Sequence, residues 1–280
     1  MSGPGGRLRG KVVLVTGAAR GIGLATAQAA HAEGATVWLS DVRVTEAEDA
    51  ALALGAGARS VALDVRDDAA WSSAMREVLA RDAGLHGLVN NAGITGFETD
   101  FPAPGQQDPE HVSLETWRAV LAVNLEGVVL GCAHALRAMR GRGDGGGSIV
   151  NVGSRSGVVG VPGACAYAAS KAAVAHHTRS VALYSAEAGL GVRCNCVQPS
   201  AIRTSMWDAV LGEAGSPGRE AREAEAVADC PLRRFGTPAE VAGLIVHLLS
   251  DEAGYTTGAV FNVDGGTLAG QASPPSPGAR

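Results

Sequence analysis

Residues 11–23 read KVVLVTGAARGIG, and this stretch decides the fold class. The valine-rich run Lys11–Thr16 predicts a buried strand, and Ile22–Glu33 carries apolar residues at helical spacing. Between them, the glycines of a G-x-x-x-G-x-G loop permit a tight turn and allow a ligand close to the backbone. A strand, a glycine loop and a helix in this order predict the first unit of an α/β sheet whose helix N-terminus can meet a pyrophosphate.

The alternation of strand-like and helix-like segments continues along most of the chain. Further valine-rich runs predict strands over Ala35–Ser40, Ser60–Leu63, Gly87–Asn90, Ser148–Val152, Gly191–Val197 and Ala259–Val263. Apolar spacing near 3.6 predicts helices over Ala69–Arg81, Leu114–Arg140, Tyr167–Ala188 and Pro238–Leu249. Because helices separate most of the strands, the sequence predicts a single-domain, doubly wound Rossmann fold with a seven-stranded parallel sheet flanked by helices.

The ends of this pattern give the domain boundaries. We expect residues 1–10 to form an N-terminal extension, residues 11–268 the Rossmann-fold domain, and residues 269–280 a flexible tail. Two internal segments break the alternation. The proline-containing Thr95–Pro109 is expected to lie on the surface near the ligand site, and Met206–Asp229 falls where a substrate lid would lie.

The composition excludes several classes of partner. The 280 residues carry a formal net charge of −5 without a basic stripe, which argues against nucleic acid. Met1–Gly10 lacks the apolar core of a secretory signal, and no later segment offers about 18 uninterrupted apolar residues for a membrane span. Five cysteines without a C-x-x-C pair suit a reducing compartment and predict no metal site. We therefore expect a soluble, cytoplasmic protein.

An acidic residue at the end of the second predicted strand bears on the choice of dinucleotide. Asp41 follows the glycine loop by about 20 residues, the distance at which a carboxylate accepts hydrogen bonds from the adenosine ribose. Its charge would repel the additional phosphate of NADP, whereas Arg20 and Arg43 offer partners to that phosphate. The pattern favours NAD over NADP, and the structural alternative for Asp41 is a helix cap or turn residue.

Short polar motifs also follow the third and fourth predicted strands. After the third strand, Asp64 and Val65 stand where a carboxylate can accept a hydrogen bond from the adenine amino group. After the fourth, the small residues Asn91, Ala92 and Gly93 let the backbone approach a ribose. Because the carboxyl ends of parallel strands share one edge, these motifs converge on the crevice where such sheets bind ligands.

A possible reactive group lies in the second half of the chain. Tyr167 and Lys171 are four residues apart on a predicted helix and therefore share a face. Ser154 follows the fifth strand and lies within reach of the same crevice. Taken alone, a Tyr and a Lys at this spacing usually form a packed ring and a solvated amine, and the position of Ser154 beside the same crevice favours the functional interpretation.

These motifs together resemble the short-chain dehydrogenase/reductase family from Lys11 to Gly266. The matching residues are T-G-x-x-x-G-I-G at Thr16–Gly23, N-N-A-G at Asn90–Gly93, Asn124, Ser154, Y-x-x-x-K at Tyr167–Lys171, Pro199 with Thr204, and V-D-G-G at Val263–Gly266. Ser200 departs from the family, which usually has glycine there, and so does the long segment Thr95–Pro109.

The resemblance implies a role for each reactive residue. Tyr167 would transfer the proton of the substrate hydroxyl, and the ammonium of Lys171 and an oxidised nicotinamide would stabilise its phenolate. Ser154 would donate a hydrogen bond to the substrate oxygen, with Ser156 as its local competitor. Asn124 would hold a water that links Lys171 to solvent, or would serve as a helix-pairing amide.

The resemblance also implies a cofactor site and an activity. Pro199, Ile202 and Thr204 would shape and contact the nicotinamide end. The complete cofactor set would be Gly17, Arg20, Gly21, Ile22, Gly23, Asp41, Asp64, Val65, Asn91, Ala92, Gly93, Tyr167, Lys171, Pro199, Ile202 and Thr204. The expected activity is hydride transfer between NAD(H) and a secondary alcohol or ketone, in a homotetramer. Alternatives are an NADPH-dependent 3-oxoacyl or ketone reductase and a non-catalytic dinucleotide-sensing or scaffold protein.

Overall fold

The computed structural model describes residues 6–82, 84–98, 106–140, 146–212 and 215–270. Several predicted segments lie partly outside the described residues. They are the N-terminal extension, the segment 95–109, the segment 206–229, which we call the lid, and the C-terminal tail. Within the described part of the extension, Leu8 is fully buried and its N–H donates a 2.9 Å bond to the Glu33 carbonyl oxygen.

One parallel sheet runs through the molecule. Its strands are β1 (Val12–Thr16), β2 (Thr36–Asp41), β3 (Ala58–Ala62), β4 (Gly87–Asn90), β5 (Gly147–Val152), β6 (Val192–Pro199) and β7 (Val260–Val263). They form a seven-stranded sheet in the order β3-β2-β1-β4-β5-β6-β7, with every neighbouring pair parallel. The predicted seven-stranded parallel sheet is confirmed. Strand order reverses between β1 and β4, which places the ligand crevice at their carboxyl ends.

Helices cover the sheet. They are α1 (Gly21–Ala32), α2 (Val44–Leu54), α3 (Asp68–Arg81), α4 (Leu114–Leu121), α5 (Gly127–Met139), α6 (Cys165–Glu187), α7 (Asp208–Leu211), α8 (Arg219–Ala226) and α9 (Pro238–Leu249). A π-helical turn, Ala122–Glu126, joins α4 to α5 where the sequence predicted one continuous helix.

Alternate strand residues enter two apolar layers, one on each face of the sheet. Leu14 of β1 pairs with Trp38 of β2 in one layer, whereas Val13 and Leu39 belong to the other. All four side chains are buried almost completely. This burial on both faces explains the nearly continuous apolar runs, because each strand of a parallel sheet lies between two layers of helices.

Helix α2 was missing from the prediction. Its sequence is VTEAEDAALAL, and its buried residues are Ala47 and Ala51. A face made of alanine lacks the large apolar side chains that mark an amphipathic helix. Small side chains are sufficient for this short contact surface, since α2 packs beside β2 and the edge strand β3.

The segment Leu114–Met139 is the described helix that is long and apolar enough, by length and composition, to span a membrane. In this fold it is a core helix. Val128, Ala135 and Met139 belong to the apolar layer that also contains Trp71 of α3. The apolar composition therefore has a structural explanation within the fold.

Candidate active site

The glycine loop after β1 forms a cradle without side chains. Gly17 and Gly21 have φ angles of +62° and +59°, in the left-handed region that favours glycine. A side chain at Gly23 would collide with the carbonyl oxygen of Gly17. The N-terminus of α1 follows directly, and no side chain among the described residues caps it. Its free N–H groups and helix dipole make this loop suitable for an anion.

Asn91 joins the glycine loop to the end of β4. Its side-chain N–H groups donate to the carbonyl oxygens of Thr16 and Gly17, at 2.9 and 3.0 Å. The Thr16 hydroxyl accepts from the N–H groups of Asn91 and Ala92, each at 3.0 Å. The sequence predicts that Asn91 lies near a ribose. In the structure its side-chain amide also stabilises the conformation of the glycine loop.

The Asp41 carboxylate faces the glycine loop from the end of β2. It accepts the N–H of Ala19 at 3.1 Å and the N–H of Arg43 at 3.0 Å. The Arg43 guanidinium pairs with Glu46 at 3.0 Å on α2, and Arg20 is exposed. Two backbone donors thus fix the carboxylate at the position where the sequence expects the adenosine ribose.

Arg66 is an unforeseen partner at the adenine end. Its guanidinium lies 2.6 Å from one Asp64 oxygen and 2.9 Å from the other, which holds the pKa of that carboxyl below its usual range. Val65 is buried, and its carbonyl oxygen accepts the indole N–H of Trp71 at 3.0 Å. The sequence D-V-R at residues 64–66 could have predicted this ion pair, because the side chain of an Arg two residues after an Asp can reach its carboxylate.

Ser154 and Tyr167 come together at the carboxyl end of β5. The Ser154 side chain is close enough to the Tyr167 phenol to affect its pKa, and the Ser154 hydroxyl accepts the N–H of Ser156 at 3.1 Å. Burial raises the pKa of Tyr167 above its usual value; the neighbouring Ser154 opposes this rise, and the Glu98 carboxylate adds to it. The protein groups around this phenol therefore favour its protonated form.

Lys171 lies one helical turn beyond Tyr167 and is almost completely buried. Its ammonium donates to the Val152 carbonyl oxygen at 2.9 Å and stands 5.7 Å from the centre of the Tyr167 ring. Burial lowers its pKa from 10.5 to about 8, while the nearby Cys196 opposes this shift. The group is therefore mostly protonated at neutral pH and close enough to act on the phenol electrostatically.

Asn124 lies on the π-helical turn and connects three parts of the site. Its side chain exchanges two hydrogen bonds with the backbone of Ile94, at 2.8 and 2.9 Å, and donates to the Ser170 hydroxyl at 3.1 Å. Ser170 in turn donates to the Tyr167 carbonyl oxygen at 2.7 Å. A side chain at Gly93 would press on Asn124 and on the Lys171 ammonium, each 3.3 Å away. This small residue therefore lets β4, the π turn and α6 meet.

The turn after β6 reaches back to the glycine loop. The Thr204 side chain lies 3.4 Å from the position that a β-carbon would take on Gly21. Ile202 is buried and pairs with Gly236. Ser200, where the motif usually has glycine, needs no left-handed backbone, because Arg233 is the non-glycine residue with positive φ in the described part of the chain.

The lid segment places its apolar residues unequally. Leu211 is buried among Val227 and Phe235 in a small apolar cluster of the lid itself, and Trp207 meets Phe235 edge-on at 5.2 Å. Met206 and Val210 remain exposed. A cavity of about 870 Å³ lies between Thr204 and the lid helices. In the described residues, no group of three or more His, Cys, Asp or Glu side chains is arranged to hold a metal ion.

Comparison with known proteins decides the family. A family model described as enoyl-(acyl carrier protein) reductase matches residues 17–267. The 3-alpha-(or 20-beta)-hydroxysteroid dehydrogenase of Mycobacterium tuberculosis is 39% identical over 95% of this chain and 93% of its own length. The chain belongs to the short-chain dehydrogenase/reductase family.

Two further members of this family are similar along nearly their whole length. The 2-(S)-hydroxypropyl-CoM dehydrogenase 3 of Xanthobacter autotrophicus is 41% identical over 94% of this chain and 98% of its own length. The NADP-dependent (R)-specific alcohol dehydrogenase of Lentilactobacillus kefiri is 36% identical over 94% of this chain and 98% of its own length. The family resemblance inferred from the motifs is confirmed, and the chain is an oxidoreductase.

The site fits the nicotinamide dinucleotide that short-chain dehydrogenases/reductases use. The cradle at Gly17–Gly23 leaves room for a pyrophosphate, and the uncapped N-terminus of α1 offers N–H donors to it. Asp41 stands on one side of this cradle and Thr204 on another. Asp41, Asn91 and Thr204, which are among the residues predicted for the cofactor, therefore lie around the glycine loop.

Proposed function

We propose that this chain transfers hydride between NAD(H) and a secondary alcohol or ketone. The observation that carries the proposal is the grouping of Tyr167 with Ser154, whose side chain opposes the rise of the tyrosine pKa, and with the buried Lys171 ammonium, 5.7 Å from the centre of the phenol ring. The named relatives support it, since their names describe oxidation at a hydroxyl-bearing carbon. Among the described residues of the crevice, this group has the chemistry that such a reaction needs.

The proton has a defined path in this proposal. A nicotinamide cofactor held by Gly17–Gly23 and Thr204 would supply the acceptor for the hydride of the carbinol carbon. Tyr167 accepts the hydroxyl proton during oxidation and returns it to the carbonyl oxygen during reduction. Ser154 donates a hydrogen bond to that oxygen and keeps it beside the phenol. Lowering the tyrosine pKa from about 10 to about 7 requires about 4 kcal/mol, and the positive charge of Lys171 supplies part of it.

We infer NAD rather than NADP from the ribose end of the site. Two backbone N–H groups hold the Asp41 carboxylate against the glycine loop, where it would meet the extra phosphate of NADP. Arg43, one of the residues able to offset this repulsion, pairs with Glu46. The alternative is an NADPH-dependent 3-oxoacyl or ketone reductase, which is favoured by the exposed Arg20 and by a relative named NADP-dependent.

A substrate and cofactor matrix tests the proposal. Secondary alcohols of cyclic, aromatic and sugar type are offered with NAD+ or NADP+, and the matching ketones with NADH or NADPH, while absorbance follows the reduced cofactor. We expect turnover of at least one class and a higher kcat/KM with NAD(H). A strong preference for NADP(H) would contradict the assignment from Asp41. Absence of turnover with every pair would favour the non-catalytic dinucleotide-binding alternative.

We also propose a homotetramer located in the cytoplasm. The outer surfaces of α5 and α6 expose Val129, Leu183 and Tyr184. These helices are neighbours, because Arg140 just after α5 donates to the Tyr184 hydroxyl at 3.3 Å. Exposed apolar side chains on adjacent helices suit contact with a second copy of the chain.

A further inference from the structure

The lid is an assembled unit with its own interior. Its described parts, residues 206–212 and 215–229, contain α7 and α8. Leu211 and Val227 pack with Phe235 in the apolar cluster, so the lid helices are attached to the chain segment that precedes α9. The position of this unit relative to the turn after β6 therefore depends on the contacts at its edge.

A chain of ion pairs runs along that edge. One Arg203 nitrogen lies 2.9 Å from each oxygen of Glu223, and Glu223 also accepts the Arg219 Nε at 2.9 Å. A second nitrogen of the Arg219 guanidinium donates to an Asp208 carboxylate oxygen of α7 at 2.8 Å. The side chains of Glu223 and Arg219 are 19% and 14% exposed. Ion pairs that are partly removed from water and linked in a network interact more strongly than isolated surface pairs.

Arg203 joins this network to the turn that the cofactor is expected to contact. It lies between Ile202 and Thr204, and its N–H donates to the Gly236 carbonyl oxygen at 2.9 Å. Its guanidinium stands 5.1 Å from the centre of the Phe235 ring. The backbone of Arg203 therefore belongs to the nicotinamide turn, while its side chain belongs to the lid.

The same network forms a wall of the cavity beneath the lid. The cavity of about 870 Å³ is lined by Arg203, Thr204, Asp208, Arg219 and Glu223, among others. A shift of α8 relative to Thr204 would therefore change both the shape of this cavity and the position of the turn. Glu223 is the member with partners on both sides, Arg203 on the turn and Arg219 on the lid.

We propose that Glu223 is a positioning residue, which holds the turn Ile202–Thr204 against the lid and thereby fixes the nicotinamide end of the cofactor. This inference rests on the proposed function. Loss of the Glu223 charge leaves two arginines facing each other, and their repulsion separates the turn from α8. The adenosine end, held at Gly17–Gly23 and Asp41, is independent of this contact.

The test compares ligands with and without a nicotinamide. The Kd values of NADH and of ADP-ribose are measured for the wild type and for Glu223→Gln by fluorescence and calorimetry. We expect the Kd of NADH to rise about fivefold, while that of ADP-ribose changes by less than about twofold. Glu220→Gln is the matched control, because Glu220 lies on the same helix and lines the same cavity without an ion pair in the described residues.

The outcomes separate this proposal from the proposed function. Equal losses for NADH and ADP-ribose, or equal effects of Glu223→Gln and Glu220→Gln, would overturn the positioning role. Arg203→Gln should reproduce the loss for NADH, and the double variant should lose no more than either single one. If Glu223→Gln does not fold, Arg203→Gln decides, because the Arg203 side chain is 57% exposed. Failure of the wild type to bind either ligand would instead refute the dinucleotide site.

Discussion

At the residue scale, the Tyr167 hydroxyl gives the most direct test of the proposed chemistry. Tyr167→Phe removes the phenol hydroxyl beside Ser154 and leaves the ring in place. General acid-base catalysis is worth about 10²- to 10⁴-fold, so we expect kcat to fall by at least about 10²-fold. The Kd of NADH should change by less than about twofold. Tyr184→Phe on the same helix is the control and should keep full activity; substantial turnover by Tyr167→Phe would refute the mechanism.

The buried ammonium of Lys171 makes a prediction about stability and pH. Its pKa is about 8 in the folded chain and 10.5 when unperturbed. Between these two pH values Lys171 holds its proton in the unfolded chain but loses it in the folded chain. The contribution of Lys171 to the free energy of unfolding therefore increases as pH rises from about 8 to 10.5. The difference amounts to about 3 kcal/mol, since one pKa unit is worth about 1.4 kcal/mol.

Lys171→Met isolates this contribution. Below pH 8 the variant avoids the cost of a buried charge but leaves the Val152 carbonyl oxygen without its 2.9 Å donor. Urea denaturation at several pH values gives the free energy of unfolding of both proteins. The wild type should gain stability relative to Lys171→Met as pH increases from 8 to 10. A difference that stays constant with pH would mean that the ammonium is not perturbed.

Gln107 carries a buried amide that the proposed reaction does not use. The side chain is 2% exposed, and neither of its polar atoms has a hydrogen-bond partner in the described chain. An unsatisfied buried polar group costs about 1–3 kcal/mol. We therefore expect Gln107→Met, which keeps the volume, to raise the free energy of unfolding by about 1 kcal/mol, as measured by urea denaturation. A loss of stability would show that the amide has a partner.

At the element scale, the sequence predicts elements with strong periodicity and misses those built on distant contacts. The seven strands are recognisable because burial on both faces requires apolar side chains along their length. The periodicity of apolar residues does not reveal helix α2, because its buried face consists of Ala47 and Ala51. The Arg203–Glu223 pair joins residues 20 positions apart across the lid, and no local pattern reports such a pairing.

The π-helical turn is another feature that local sequence does not reveal. Its extra residue brings Asn124 onto the backbone of Ile94, so the deviation depends on a segment 30 residues earlier. The motif match assigned Asn124 to the site, and this role stays a prediction. The hydrogen bonds of Asn124 to Ile94 and Ser170 could not be predicted, because the sequence does not specify which groups a buried amide will contact.

Asn124→Ala tests how much this turn contributes. The substitution removes both partners of the Ile94 backbone and the donor to Ser170. We expect the free energy of unfolding to fall by about 3 kcal/mol. Because Ser170 supports the backbone of Tyr167, kcat should also fall. Calorimetry and steady-state kinetics measure the two effects, and a variant with unchanged stability would contradict the bridging role.

At the scale of the whole molecule, the parallel sheet brings residues from distant parts of the sequence into one site. Each strand ends at the same edge, so groups as distant in sequence as Asp41, Ser154 and Thr204 face one crevice. The motifs that follow a predicted strand, such as Asn91–Gly93 and Ser154, could be placed on this edge from sequence. The packing of the lid on Phe235 could not, because it joins residues that no local sequence pattern relates.

The proposed homotetramer depends on surfaces that the isolated chain leaves exposed. Leu183 on α6 is 66% exposed and lies beside the exposed Tyr184. A glutamate at this position would bring a charge into an apolar interface, so Leu183→Glu should shift the protein from tetramers to smaller species in sedimentation velocity. Leu52→Glu is the matched control, because Leu52 on α2 is 78% exposed and far in sequence from both helices. Equal behaviour of the two variants, or a monomeric wild type, would contradict assembly through α5 and α6.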